Sequence, residues 1–364
     1  MSDEHDPNKG ELTLSRNRSL AIRSSGLVKR GLELVYEVEE QQGEGAGVTY
    51  YNRGVACGKL GNYQQAIENY DRAIEIDPKY ASAHLNRGVA YYHCGDPRQA
   101  IKDFDRAIEL TPEYAWAYSN RATVYAKLGN YHQAIRDCDK AIELDPNDVL
   151  AYYQRGVAYS KLGDLQQAIR DYSKAIELNP KDAEAYNDRA DAYFKLGDFQ
   201  QAIRDYSRAI QLVPNDALTY VTRGGAYCQL GDYQKGIRDC DKAIELIPKF
   251  GLAHYYRATA YYHLGDYDQA IRNYDKAIGL VPERGEAYSG RGIVYGKIGN
   301  FQRAIKDFDK AIELNPNDKE AYYNRGIAYG KLGDSYREIT DTKTAAQLGF
   351  RPAQDYLKSK GISW

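Results

Sequence analysis

The sequence predicts an all-α fold built from stacked antiparallel helix pairs, and three regularities carry that reading. A 34-residue unit, cleanest in residues 183–216, is written eight times without insertion or deletion over residues 47–318. A fixed period of this length marks a supersecondary element that buries its apolar face only against its neighbours. Each unit divides into two stretches whose apolar and small residues recur at helical spacing. Gly-Asp or Gly-Asn separates the stretches, as at Gly163-Asp164, and a proline closes each unit at a fixed place, from Pro78 to Pro316.

The elements follow in chain order. Residues 1–25 are polar and are expected to be a disordered tail. Residues 26–42 place Leu27, Val28, Leu32, Leu34, Val35 and Val38 on a broad stripe, which predicts an amphipathic helix. It is expected to cap the first repeat or to dock on another chain, with the glycine-rich stretch that follows as a hinge or loop, so that helix and hinge together span 26–46. The eight repeats are 47–80, 81–114, 115–148, 149–182, 183–216, 217–250, 251–284 and 285–318.

Within a repeat the first helix ends at glycine, and the following Asp or Asn is placed to cap the second. In the second helix Ala168, Ile169, Tyr172, Ala175 and Ile176 share one stripe. The proline then forbids continuation and starts the turn into the next unit. Residues 319–349 form a degenerate ninth repeat, with Ser335 in an aromatic slot and Glu338 in an alanine slot. A polar terminal repeat suits an array whose last face has no neighbour. Residues 350–364 are expected to supply a solvating helix.

Composition narrows the function classes. The net charge is -2, which argues against nucleic acid as the partner. No apolar run reaches membrane-spanning length, and the N-terminus has no basic-then-apolar leader, so a cytoplasmic protein without membrane contact is expected. Cys57, Cys94, Cys138, Cys228 and Cys240 stand singly, as small packing residues rather than disulfide or metal ligands. No cofactor is called for. No phosphate loop, GxSxG or HExxH motif is present. His84 and His254 replace tyrosines in a packing slot, and His132 is placed in the turn between helices.

The pattern resembles the tetratricopeptide repeat over most of the chain. The signature residues are Gly or Ala at the eighth position (Gly54, Gly88, Ala122, Gly156), Ala at the twentieth (Ala66, Ala100, Ala134, Ala168) and Ala at the twenty-seventh (from Ala73 to Ala311). Small residues there let two helices approach closely. The resemblance implies a right-handed α-solenoid superhelix whose first helices line a concave groove.

Groove residues are then expected at the second, fifth, sixth, ninth, twelfth and thirteenth positions. The sixth position holds Asn52, Asn86, Asn120 and Gln154 before Asp188 breaks the row. An amide can bond both halves of a peptide group, and the three asparagines look like the ladder lining the repeat domain of the O-GlcNAc transferases. Tyr51, Tyr92, Trp116 and Tyr153 are the aromatic anchors in the same repeats, and Lys127 and Lys161 stand at the rim. The lysines and asparagines of the carboxylate clamp found in chaperone-binding relatives are absent.

Arginine fills the seventh position of all nine repeats, from Arg53 to Arg325, where many relatives carry leucine. An acid or amide recurs at the twenty-third, so each arginine is expected to pack between helices and pair with it. Replacing Arg189 by leucine is expected to be tolerated. The reading that follows is a non-catalytic scaffold that holds an extended peptide or partner segment in its groove. The alternatives are a self-assembling structural scaffold and a regulatory subunit of a separately encoded enzyme.

Overall fold

The computed structural model describes residues 44–364, and among these residues it contains nineteen α-helices and no strand. They gather into two compact units, one ending at Leu212 and one running Val213–Trp364. The first unit holds α1 (Glu44–Lys59), α2 (Tyr63–Ile76), α3 (Ala81–His93), α4 (Pro97–Leu110), α5 (Ala115–Lys127), α6 (Tyr131–Leu144), α7 (Val149–Leu162), α8 (Leu165–Leu178), α9 (Ala183–Lys195) and α10 (Phe199–Leu212). The second holds α11 (Ala217–Gln229), α12 (Tyr233–Leu246), α13 (Gly251–His263), α14 (Tyr267–Leu280), α15 (Gly285–Lys297), α16 (Phe301–Leu314), α17 (Lys319–Lys331), α18 (Ser335–Gln347) and α19 (Arg351–Ser359). Odd-numbered helices from α1 to α17 are the first helices of repeats. Within each unit a second helix packs on its own first helix and on the next one, and successive first helices touch.

Two expectations need correction here. The glycine-rich stretch is not wholly a hinge, because α1 begins at Glu44 and takes in Gly45 and Gly47. His132 lies in the first turn of α6 rather than between helices. The capping helix expected at 26–42 falls outside the described residues.

The turn between helices shows how the sequence sets the break. Gly163 ends α7 at φ 87, a left-handed conformation that costs glycine little. Asp164 then donates its backbone N–H to the Tyr159 carbonyl at 3.0 Å and accepts the Gln167 N–H on its side chain at 3.0 Å. One dipeptide thereby closes a helix and opens the next. Not every cap is made, since Asn62, Asn130 and Asp232 accept no capping bond. A second set of caps serves the first helices, where Asp148, Asp182, Asp216 and Asp318 each accept a backbone N–H.

The eighth-position glycines are required by contact. A Cβ on Gly54 would lie 2.5 Å from the Tyr70 ring, and one on Gly156 would lie 2.8 Å from Tyr172. Alanines at the twentieth and twenty-seventh positions, such as Ala66, Ala73, Ala168 and Ala175, are fully buried. Where the last repeat stops, α19 covers it with Ala353 and Leu357, both fully buried.

Candidate binding face

The first helices of repeats one to four stand side by side within one unit, so residues one repeat apart can meet. The Asn86 amide Nδ2 donates to the Tyr51 hydroxyl at 2.9 Å. The Tyr153 hydroxyl donates to Asp188 Oδ2 at 2.6 Å. Both contacts join a fifth position to the sixth position of the next repeat. The Tyr51 ring also lies 4.8 Å from Tyr80 and 6.0 Å from Tyr70 between centroids. Burial, and then Tyr114 and Tyr80, push its phenol pKa up. Burial and the Asp188 charge push Tyr153 higher still, and it packs 5.8 Å from Tyr172.

The amide row is therefore partly committed, which corrects the picture of four free amides. Asn86 serves Tyr51, and Asn120 donates Nδ2 to the Trp116 carbonyl one turn back in its own helix at 2.7 Å. Each keeps its carbonyl and a second N–H. Asn52 is exposed and Gln154 half-buried, and neither amide is hydrogen-bonded among the described residues. Trp116 is 59% exposed. Lys127 is exposed and holds its ammonium 4.7 Å from the Tyr92 ring centroid, a cation–π distance. Lys161 is exposed at the same level of the next helix.

The sequence holds a signal for the Tyr51–Asn86 and Tyr153–Asp188 contacts. A tyrosine is followed 35 residues later by a side chain that can bond it. Asp188, read as the residue that breaks the row, is in fact the partner of Tyr153.

The arginines form a ladder of their own. Arg87 grips Asp103 through Nε and Nη2 at 2.8 and 2.7 Å, and reaches back with Nη1 to Asp71 of the preceding repeat at 2.6 Å. Arg155 does the same with Asp171 and Asp139, and Arg325 with Asp341 and Asp309. Burial pulls the Arg87 pKa down, but hydrogen bonds and charge from Asp103 and Asp71 together outweigh it and raise the value. Sequence reasoning found the acid at the twenty-third position and missed the one at the twenty-fifth. Arg189 differs, because its Nη1 meets Ser173 Oγ at 2.9 Å where most repeats offer aspartate.

Profiles described as tetratricopeptide repeat match residues 81–114, 115–148, 149–182, 183–216 and 285–318, and others match 215–281 and 308–340. One described as TPR repeat matches 54–95. The chain belongs to the tetratricopeptide-repeat family.

Solved members share the fold. A tetratricopeptide repeat protein from Parabacteroides merdae ATCC 43184 aligns at TM-score 0.58 and 24% identity, over 67% of this chain and 97% of its own. A chain of the APC/C hetero-tetramer Cut9-Hcn1 aligns at 0.57 and 17% identity, over 91% and 80% respectively. Yeast Tom70 aligns at 0.50 and 16% identity, over 97% and 94%. No curated protein matches the sequence. Tetratricopeptide repeats are generally protein–protein interaction scaffolds and generally non-catalytic. Among the described residues no group of His, Cys, Asp and Glu could hold a metal ion, and no helix is long and apolar enough to cross a membrane.

Proposed function

We propose that the chain is a non-catalytic scaffold that binds an extended peptide, or an extended segment of a partner protein, along the first helices of repeats one to four. The supporting observation is the contrast between its two faces. Each second helix of these repeats carries a self-contained ion pair on its exposed side, namely Arg72–Glu75, Arg106–Glu109, Lys140–Glu143 and Lys174–Glu177. The first-helix face of the same repeats instead offers Asn52, Gln154, the remaining valences of Asn86 and Asn120, and the open Trp116 ring. Amides spaced by one repeat can hold a backbone, and aromatic rings can anchor side chains. A cytoplasmic setting suits single cysteines such as Cys138, which is free and buried.

Self-assembly end to end finds no support at the C-terminal side. Lys343 stands where the twenty-fifth-position acid would be, and Leu357 fills the arginine slot of α19. The arginine of a further repeat would therefore find no acid at the twenty-fifth position of this one and would keep only the partner in its own repeat.

The test is a peptide library displayed on phage, followed by calorimetric titration of the enriched sequences. Each amide-to-backbone bond contributes about 0.5–1.5 kcal/mol. Asn52→Ala with Asn120→Ala is therefore expected to weaken binding about 5–150-fold, with an unchanged circular dichroism spectrum. Unchanged affinity in the double variant would move the site off this face.

A further inference from the structure

Asp148 ends the third repeat and is 5% exposed. Its Oδ1 caps α7 by accepting the Ala151 N–H at 3.0 Å. Its Oδ2 is buried and has no hydrogen-bond partner among the described residues. A buried carboxylate oxygen without a donor is costly, and two other acids at the same position avoid that state. Asp216 Oδ2 accepts the Thr219 hydroxyl at 2.6 Å, and Asp318 Oδ2 accepts the Ser289 hydroxyl at 3.1 Å.

Repeat equivalence locates the neighbours of Asp148. Ser289 holds in its repeat the place that Ser119 holds here, yet Ser119 turns its hydroxyl to the Trp116 carbonyl at 3.3 Å. The second position of a repeat lies on the same side, since the Ser82 hydroxyl lies 3.3 Å from that of Tyr114, whose longer side chain starts from the place equivalent to Asp148 one repeat earlier. By this equivalence Asp148 stands beside Ser119, and Trp116, whose indole is open to solvent, lies one turn before Ser119 in the same helix. No lysine or arginine occupies the second, fifth, sixth or ninth position of repeats one to four. The rim cation Lys127 lies at the far end of the same helix as Trp116, about 16 Å along its axis at 1.5 Å per residue.

We propose that Trp116, Ser119 and Asp148 form a receptor for one cationic side chain, a guanidinium or an ammonium, carried by the segment that lies along this face. The proposal rests on the groove reading above and adds the chemistry of the partner. In the bound state the side chains around Asp148 part enough to admit the cation to Oδ2, and the exposed indole lays its ring face against it. Tryptophan is the best aromatic partner for a cation, and a desolvated carboxylate makes the stronger, charge-assisted hydrogen bond. The Ser119 hydroxyl is free to rotate toward the carboxylate or the ligand. The bound cation supplies the donor that Oδ2 lacks.

The experiment uses the full chain with Trp364→Phe, so that of the two tryptophans only Trp116 reports. Its emission is titrated with N-acetyl-arginine amide and with N-acetyl-citrulline amide, which has nearly the same shape without the charge. A saturable change with the arginine compound is expected, at least fivefold weaker with citrulline. Asp148→Asn keeps the cap, because asparagine caps as well as aspartate, and is expected to weaken the arginine response about tenfold. Equal responses to the two compounds, no saturable response, or an unaffected Asp148→Asn would each overturn the proposal. The last result would mean that Ser119 already satisfies Oδ2 in solution. Displayed peptides that still bind while arginine amide does not would remove this receptor and leave the groove. Arginine binding that survives alongside peptide binding indifferent to Asn52→Ala with Asn120→Ala would do the reverse.

Discussion

Arg189→Leu separates a strut that can be replaced alone from one that can be replaced only with its partner. By size, leucine suits the slot, which was the basis for expecting tolerance. The structure reverses that expectation, because Asp205 is 7% exposed and takes both Nε and Nη2 of Arg189 at 2.7 and 2.8 Å. Removing the arginine strands a buried carboxylate, which costs about 3–5 kcal/mol. Packing a leucine into the space returns about 1–1.5 kcal/mol, so the net loss should be about 1.5–4 kcal/mol. Arg189 is the best place for the measurement because its other contact, Ser173, is neutral and leaves a single carboxylate to account for. Replacing both partners, Arg189→Leu with Asp205→Leu, removes the stranded charge and should return stability to within about 1 kcal/mol of the parent. The assay is urea unfolding followed by circular dichroism for the parent, both single variants and the double variant. Arg106→Leu serves as a control, since Arg106 and Glu109 pair on the surface and should contribute under about 1 kcal/mol. A single variant within about 1 kcal/mol of the parent, or a double variant as unstable as the single, would refute the strut argument.

Two further outcomes follow from the same packing. Ser173→Asp restores the second carboxylate that Arg87, Arg121 and Arg155 possess. Because the equivalent Asp71, Asp105 and Asp139 are about half-exposed, the gain should be modest, about 0.5 kcal/mol, and should shrink in high salt; a loss of stability would contradict the ladder geometry. Gly156→Val forces a side chain into a space where even a Cβ would stand 2.8 Å from the Tyr172 ring. It should destabilise the array by about 1–3 kcal/mol in thermal or urea unfolding, and an unchanged midpoint would show that the helices can part at no cost.

The helix pairs, their register and their spacing were legible before any coordinates. Those features depend on windows shorter than one repeat: an apolar stripe within a helix, a glycine that can take positive φ at Gly163, a proline that stops the next turn, and alanines such as Ala66 and Ala168 where helices cross. The pairing of Arg155 with Asp171 was legible too, since both residues sit in one repeat with a fixed offset. Contacts between repeats were decided by the stacking angle, which no single window encodes. Arg155 could reach back to Asp139, Tyr51 could engage Asn86 and Tyr153 could engage Asp188 only once neighbouring helices were laid side by side. The same geometry turned Asn120 to its own helix and left Asp148 Oδ2 without a donor among the described residues. Repetition makes residue types periodic, but each side chain spends its hydrogen bonds on whichever neighbour lies within about 3 Å, and that neighbour changes from repeat to repeat. Tertiary packing therefore divided the candidate face into groups already used and groups still available to a partner.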